Sequence, residues 1–125
     1  MIKRLIVAFV LTAILATLCI TGYISIKTKM DSFESAIEVI ENSNESFDII
    51  SNRARNLEKE FYSSETLLAL FINHGKIDDL KLSITEIRTF AEKKDSTLVY
   101  SSCAESKLLI SDIIDDQRFS MHSLF

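Results

Sequence analysis

One uncharged apolar run near the N-terminus restricts this chain more than any other feature. The run, residues 5–26, holds about 22 residues without a charge, close to the ~20 that a helix needs to span a bilayer. As a helix it is ~33 Å long, slightly more than the ~30 Å hydrocarbon core. Hydroxyl side chains in the run can donate to carbonyls of their own helix. A basic head, residues 1–4, precedes the run, and Lys27 and Lys29 end it. We therefore predict a transmembrane anchor.

A cleaved signal peptide is the main alternative for this run. Its apolar part is 7–15 residues long and ends at a small-x-small site. Here the run is longer, and Ile20, Tyr23 and Ile24 interrupt the small residues near its end. A lipoprotein signal would need a small residue before Cys19, where Leu18 stands. These features favour an uncleaved anchor.

The basic residues at the two ends of the run bear on its orientation. Lys3 and Arg4, with the α-amino group, nearly balance Lys27 and Lys29 under the positive-inside rule. Because a head of four residues cannot fold, the folded domain follows the anchor. We expect a single-pass protein of the cell membrane, with a cytoplasmic N-terminus and residues 27–125 outside.

The composition of residues 27–125 excludes several classes of protein. This part carries all 18 acidic residues and 12 of the 14 basic ones, which gives a net charge of −6. Such a charge argues against nucleic acid as a partner and against a second contact with anionic lipid. The chain has no proline and two glycines, too few turn residues for a β-sandwich or barrel. Cys19 lies in the run and Cys103 stands alone, so we expect no internal disulfide.

After Lys29 the apolar residues recur at steps of three and four, which is typical of helices with one buried face. The first helix ends near Asn42 and is either continuous with the anchor or capped by Asp31 or Ser32. Further helices are expected over about residues 45–73, 76–93 and 96–122. The predicted core positions are Phe33, Ile37, Ile40, Phe47, Ile50, Ala54, Leu57, Phe61, Leu68, Ile72, Ile77, Leu80, Ile84, Ile87, Ala91, Leu98, Val99, Ser102, Leu109, Ile110 and Ile113.

Three turns separate these helices. In the first turn, Ser43 or Asn44 is expected to cap the second helix. The second turn is placed at Gly75, because a left-handed glycine commonly ends a helix. Asp95 and its neighbours supply the third turn and cap. The apolar stripe of the fourth helix is weak in its middle, around Cys103. This part of the helix needs small-residue packing or a partner.

Short connections make consecutive helices antiparallel neighbours. The predicted fold class is therefore all-α: a single N-terminal transmembrane helix followed by an elongated, coiled-coil-like, up-down bundle of three to four helices. About 99 residues give a thin core, so a protein partner or homo-oligomerisation would help to stabilise it. The terminal apolar residues are expected to pack on the end of the bundle or to insert into a partner; they are Phe119, Met121, Leu124 and Phe125.

The basic head, the anchor, the acidic helical body and one stretch of sequence resemble a known group of proteins. The stretch is an apolar run, residues 67–71, followed by Ile72-x-His74-x-x-Ile77-Asp78. It is similar to an uncharacterised family of short single-anchor bacterial membrane proteins, catalogued as a domain of unknown function. The likeness extends over nearly the whole chain. The resemblance implies a bacterial cell-envelope location and an all-helical extracytoplasmic domain, and it implies no activity.

The sequence shows no pattern typical of catalysis or cofactor binding. HExxH, CxxC, P-loop, GxSxG and dinucleotide motifs do not occur, so we predict neither an enzyme nor a cofactor. His74 and Asp78 are weak metal candidates, because an unbroken helix would place them on one face. Two ligands are too few for a tight site. The alternative is that His74 caps a helix end and Asp78 balances a helix dipole, and we predict no metal site.

Two functions remain after these exclusions. The first is a non-enzymatic interaction module that is held in the bilayer by its N-terminal helix and binds an envelope protein or itself. The second is a small ligand-sensing bundle that acts through a membrane partner, because only four residues precede the anchor.

Overall fold

Four helices account for nearly all of the described chain. The computed structural model describes residues 1–124, with side chains through residue 123, and this part contains no strand. Short turns join the helices, so consecutive helices run antiparallel, and the predicted all-α bundle is confirmed. In chain order the helices are α1 (Ile2–Glu41), α2 (Phe47–Ala69), α3 (His74–Glu92) and α4 (Ser96–Leu124).

Helix α1 is one continuous helix of 40 residues, which corresponds to ~60 Å. Of the two alternatives for its origin, continuation from the apolar run is therefore correct, and no cap forms at Asp31 or Ser32. Its C-terminal part packs into the bundle through one face at steps of three and four residues. The buried residues of this face are Gly22, Ile26, Met30, Phe33, Ile37 and Ile40.

The helices occupy the four corners of a bundle. Helix α1 packs against α2 and α4, and α3 packs against the same two helices from the opposite corner. Helices α1 and α3 run away from the N-terminus, and α2 and α4 return. The turn between α2 and α3 and the C-terminal part of α4 therefore lie beside the middle of α1. We call the end of the bundle that holds these two segments the proximal end. The turn between α1 and α2 and the turn between α3 and α4 form the distal end.

The core is apolar along its whole length. Phe33 of α1 and Phe61 of α2 meet in its middle, with ring centroids 5.7 Å apart and 1% exposure each. The predicted core positions are buried or half-buried with one exception. Leu98 is 41% exposed, because Val99 takes the inward position at the start of α4.

A seam of small residues joins α3 to α4. The Ser83 and Ser106 hydroxyl oxygens lie 2.6 Å apart, and the Ser83 hydroxyl donates to the Ser102 carbonyl at 3.3 Å. These hydroxyls and Cys103 are buried, and the hydrogen bonds offset the cost of burying the serines. The weak apolar stripe in the middle of the fourth helix is therefore explained by small-residue packing against α3.

The prediction of a left-handed glycine at Gly75 is wrong. Helix α2 ends at Ala69, four residues earlier than predicted, and Gly75 lies in the first turn of α3 without a positive φ. The Asn73 side chain caps α3 by accepting from the Gly75 amide at 2.8 Å. Because Asn73 starts a new helix directly after a short turn, the glycine takes ordinary helical dihedral angles.

The predicted cap of the second helix is also wrong. The N-cap of α2 is Ser46, whose side chain makes no capping hydrogen bond. The Ser43 hydroxyl instead accepts from the Glu45 amide at 3.2 Å. That bond lies within the turn, and α2 begins at Phe47. At the third turn the prediction is confirmed, because Asp95 accepts from the Leu98 amide at 3.1 Å as the cap of α4.

Lys94 carries the backbone conformation that the sequence suggested for a glycine. Its φ is 58°. The Asp95 amide bonds to the Phe90 carbonyl at 3.0 Å and the Lys94 amide to the Ala91 carbonyl at 3.1 Å, which together form a Schellman C-cap. The left-handed position of that motif usually holds glycine, because a side chain is strained there.

Replacing Lys94 by glycine is expected to stabilise the bundle by about 0.5–1 kcal/mol, since relief of strain outweighs the added entropy of the unfolded chain. Urea unfolding followed by circular dichroism measures the change. The matched control is Lys93→Gly, because Lys93 has right-handed helical angles and should lose about 0.5–1 kcal/mol. Equal losses in both variants would contradict the left-handed assignment.

Candidate membrane anchor and its junction with the bundle

The N-terminal part of α1 projects from the bundle. Every residue from Ile2 to Leu15 is exposed. By length and composition the helix is long and apolar enough to cross a membrane. A continuous apolar surface of this length is unfavourable in water and marks a contact with lipid or protein. Its large side chains, each 44–76% exposed, are Leu5, Ile6, Val7, Phe9, Val10, Leu11, Ile14, Leu15, Leu18 and Ile20.

Two threonine hydroxyls in this segment are bonded within the helix. Thr12 Oγ1 donates to the Ala8 carbonyl at 2.8 Å, and Thr17 Oγ1 donates to the Ala13 carbonyl at 2.8 Å. For these two residues the predicted back-bonding is confirmed. Since hydrocarbon offers no hydrogen-bond partner, a hydroxyl satisfied in this way is compatible with lipid.

Gly22 marks the point where α1 enters the bundle. It is buried beneath the Phe71 ring, and a Cβ at this position would overlap Phe71 Cε1 and lie 2.8 Å from Cζ. The absence of a side chain on Gly22 therefore lets the turn between α2 and α3 lie directly on α1. Gln117 Nε2 of α4 donates to the Phe71 carbonyl at 2.9 Å. Helix α1, this turn and α4 consequently meet at one level.

An apolar cleft of about 380 Å³ lies beside this junction. It is lined by Leu18, Cys19 and Tyr23 of α1, by Phe71, and by Met121 of α4, among others. Met121 is half-buried against α1, in agreement with packing on the end of the bundle. Phe119 is 74% exposed and does not pack in this way. The predicted packing of the Leu124 side chain and of Phe125 lies outside the described residues.

His74 and Asp78, the weak metal candidates, lie on the exposed surface at the start of α3. The helix is unbroken between them, so they are one turn apart, as a shared site would require. Within residues 1–124, no group of three histidine, cysteine or acidic side chains is placed to hold a metal ion. His74 does not cap α2, since it follows the cap residue Asn73 of α3. Asp78 lies beyond the first turn of α3, which contains no acidic residue, so Asp78 is not placed to balance the helix dipole as predicted.

Cys103 has a strongly perturbed thiol. Its side chain is fully buried, and burial raises the pKa of the Cys103 thiol from 9.0 to about 12; the nearby Glu41 charge adds to the rise and Lys107 opposes it. A thiol with this pKa stays protonated at neutral pH, and the thiolate is the reactive form. Cys103 is therefore a packing residue rather than a nucleophile.

Native Cys103 is expected to react with N-ethylmaleimide at least ~100-fold more slowly than the same thiol in urea-unfolded protein at pH 8, because access and thiolate are both suppressed. Mass spectrometry of a Cys19→Ser variant follows Cys103 alone. Equal rates in native and unfolded protein would show that the seam between α3 and α4 is open.

Ion pairs connect neighbouring helices on the outside of the bundle. Lys107 of α4 lies 3.0 Å from Glu41 of α1, and Arg88 of α3 lies 2.9 Å from Glu58 of α2. The hydrogen bonds to Glu41 and Glu58 raise the pKa of Lys107 and of Arg88 respectively. Arg55 chiefly, then Arg88, lowers the pKa of the Glu92 carboxyl. These charges therefore bond to one another within the chain.

A second cavity, of about 290 Å³, lies at the distal end. Ile40 and Glu41 at the end of α1, Phe47 of α2, and Val99 and Tyr100 of α4 contribute to its lining. The cavity combines apolar and polar groups, as small-ligand sites do. It had no counterpart in the sequence analysis, because its lining comes from three helices that the turns bring together.

The fold and the junction define a class: a four-helix bundle whose first helix extends beyond it as an apolar rod. The chain belongs to the family "Domain of unknown function (DUF4363)", whose family model matches residues 20–124. The predicted resemblance to a domain of unknown function is confirmed. The match begins two residues before Gly22, so it covers the packed bundle and leaves out most of the projecting segment. No match was found among curated proteins or among solved structures.

Proposed function

We propose that this protein is a membrane-anchored, non-enzymatic interaction module of the bacterial cell envelope. In this proposal the projecting part of α1 spans the cell membrane, and the bundle stands outside and binds an envelope protein or a second copy. The observation that carries the proposal is the exposed apolar segment from Ile2 to Leu15, which continues without a break into a bundle helix.

The continuity of α1 supports a positioned binding surface. A flexible linker would let a domain move freely above the membrane, whereas an unbroken helix fixes its height and direction. The acidic residues of the bundle, which outnumber the basic ones, favour a partner with a basic face, since complementary charge speeds encounter and sets specificity.

Photo-crosslinking in intact membranes tests the interaction. A photoreactive amino acid replaces Leu108 or Tyr100, which are 69% and 58% exposed on the bundle, and the matched control carries it at Phe9 in the projecting segment. We expect a discrete protein adduct from the bundle positions, either with a second copy or with one other protein. A chain that stays uncrosslinked from both bundle positions at every expression level would contradict the proposal.

The distal cavity supports a second candidate function, a ligand-sensing bundle. Ile40 and Glu41 line the cavity and end the same helix that begins at the projecting segment, so a ligand that shifts them would move the anchor. A ligand bound to the folded state raises the melting temperature. A thermal-shift screen of small polar metabolites, with Tyr100→Ala as the cavity variant, tests this function. The absence of any stabilising compound would count against it.

A further inference from the structure

Exposed apolar side chains gather at the proximal end of the bundle. Leu70 and Phe119 are each 74% exposed and Phe71 is 40% exposed; we call these three residues the proximal rim. Phe71 lies on Gly22, Leu70 precedes it, and Phe119 follows Gln117, which bonds to the Phe71 carbonyl. The rim therefore lies close to the level where α1 enters the bundle.

The length of α1 sets the height of this level in a bilayer. If the basic head lies among the headgroups on one side, the hydrocarbon begins at Leu5. From Leu5 to Gly22 the helix rises ~26 Å, which is ~4 Å short of the ~30 Å hydrocarbon core. Tilting of the helix shortens that rise further. The first charged residue on the other side is Lys27, more than one turn beyond Gly22.

Helix α4 reaches deeper than the rim. Ser120 and Met121 share the proximal cleft with Leu18 and Cys19, and these α1 residues lie ~5–6 Å below Gly22 toward the N-terminus. The cleft there is mostly apolar, and the Ser123 hydroxyl donates to the Phe119 carbonyl at 3.1 Å within its own helix. A phenylalanine beside Arg118 is also a combination suited to the membrane interface, where a long basic side chain reaches the headgroups.

From these positions we propose that the proximal rim is a second membrane contact, embedded in the bilayer that α1 crosses, with acyl chains filling the cleft between α1 and α4. The inference rests on the proposed anchor and adds that the bundle sits in the interface instead of standing clear of it. The contact is apolar, so it needs no anionic headgroup and is compatible with the acidic bundle.

The chain has no tryptophan, so single-tryptophan variants report each position separately. Leu70→Trp and Phe119→Trp probe the rim, Leu11→Trp probes the anchor ~9 Å from the start of the hydrocarbon at Leu5, and Tyr100→Trp is the matched control at the distal end. The full-length protein is reconstituted in phosphatidylcholine vesicles with lipids brominated near the top of the acyl chains. Leu70 and Phe119 are exposed, so their replacement leaves the core untouched, and circular dichroism verifies the fold.

We expect the emission of both rim variants to be blue-shifted and to fall about twofold with brominated lipid, as for an indole at the hydrocarbon boundary, while Tyr100→Trp is unaffected. Quenching of Leu11→Trp together with unquenched, red-shifted rim variants would overturn the inference and leave the anchor intact. Rim variants that are blue-shifted but unquenched would overturn the proposed lipid contact, because they would show that protein, such as a second copy, buries the rim. An unquenched Leu11→Trp would contradict the proposed membrane anchor itself.

Discussion

Replacing Phe61 by alanine is expected to lower the free energy of unfolding by about 3–5 kcal/mol, the range observed for large-to-small changes of a buried phenylalanine. Phe61 is 1% exposed and packs on Phe33 in the middle of the core. A bundle of about 100 residues is typically stable by only about 5–15 kcal/mol. The change therefore removes a large share of the total. Urea unfolding of the full-length protein in micelles, followed by far-ultraviolet circular dichroism, measures the loss.

The neighbouring residue provides a matched control. Tyr62 is 43% exposed, and its ring lies 5.1 Å from Lys81 Nζ on the outside of the bundle. Tyr62→Ala should cost less than about 1 kcal/mol, because it leaves no cavity and removes a weak, solvated cation–π contact. Comparable losses for the two substitutions would contradict the placement of the core between α1 and α2.

Two arginines in the projecting part of α1 are expected to abolish membrane association. Leu11 and Ile14 are 55% and 50% exposed, and an arginine near the centre of a membrane-spanning helix costs about 2.5–3.5 kcal/mol. Two such charges cost about 5–7 kcal/mol together, so the double variant Leu11→Arg, Ile14→Arg loses affinity by several thousandfold or more. Flotation of vesicles after an alkaline wash measures the bound fraction, while circular dichroism of the bundle should remain unchanged.

The control variant adds the same charge to the same helix. Thr28 and Ser32 are exposed on α1 beyond the apolar run, so Thr28→Arg, Ser32→Arg should float with the vesicles as the parent chain does. If both double variants float equally well, the projecting segment does not lie in hydrocarbon. If both double variants detach equally, the loss does not depend on placing charge in hydrocarbon, which would also contradict insertion of the projecting segment.

The helical fold was predictable because apolar residues mark one face of each helix. The set containing Ile77, Leu80 and Ile84 needed no knowledge of its neighbours, since spacing alone separates an inner from an outer face. Spacing did not predict Leu98 correctly. Leu98 and Val99 are adjacent apolar residues at the start of α4, and only Val99 takes the inward position. The burial of Ser83 was not predictable from the sequence either, because a serine is buried only where a facing helix offers small residues and a hydrogen-bond partner.

Turn conformations were less predictable. Glycine is the usual residue at a left-handed C-cap, so Gly75 was assigned to that position and Lys94 was not. In the structure Lys94 takes the left-handed position, because the Schellman bonds of α3 hold it at a positive φ. Gly75 instead lies in the first turn of the helix that Asn73 caps. Local residue preference is a weak guide where hydrogen bonds from the adjoining helix decide the dihedral angles.

The candidate site was predictable only in part. The apolar run and its back-bonded threonines follow directly from the sequence, but the start of the bundle does not. Gly22 and Ile26 were assigned to the anchor and are buried by the bundle, so the predicted anchor and the bundle overlap by more than one helical turn. That overlap depends on Phe71, which is 49 residues away from Gly22 in sequence and reaches α1 only once the turn after α2 has formed.

We expect α1 to stay uncleaved, with its projecting N-terminal part in the bilayer and the bundle on the outer side of the membrane. Intact-mass analysis of alkali-washed native membranes tests this most directly. We expect the uncleaved 14.2 kDa chain in the membrane pellet, and we expect external protease to remove the residues beyond Lys29 from intact protoplasts. Recovery of a chain shortened by its first two dozen residues, or of the whole chain in the wash, would contradict it.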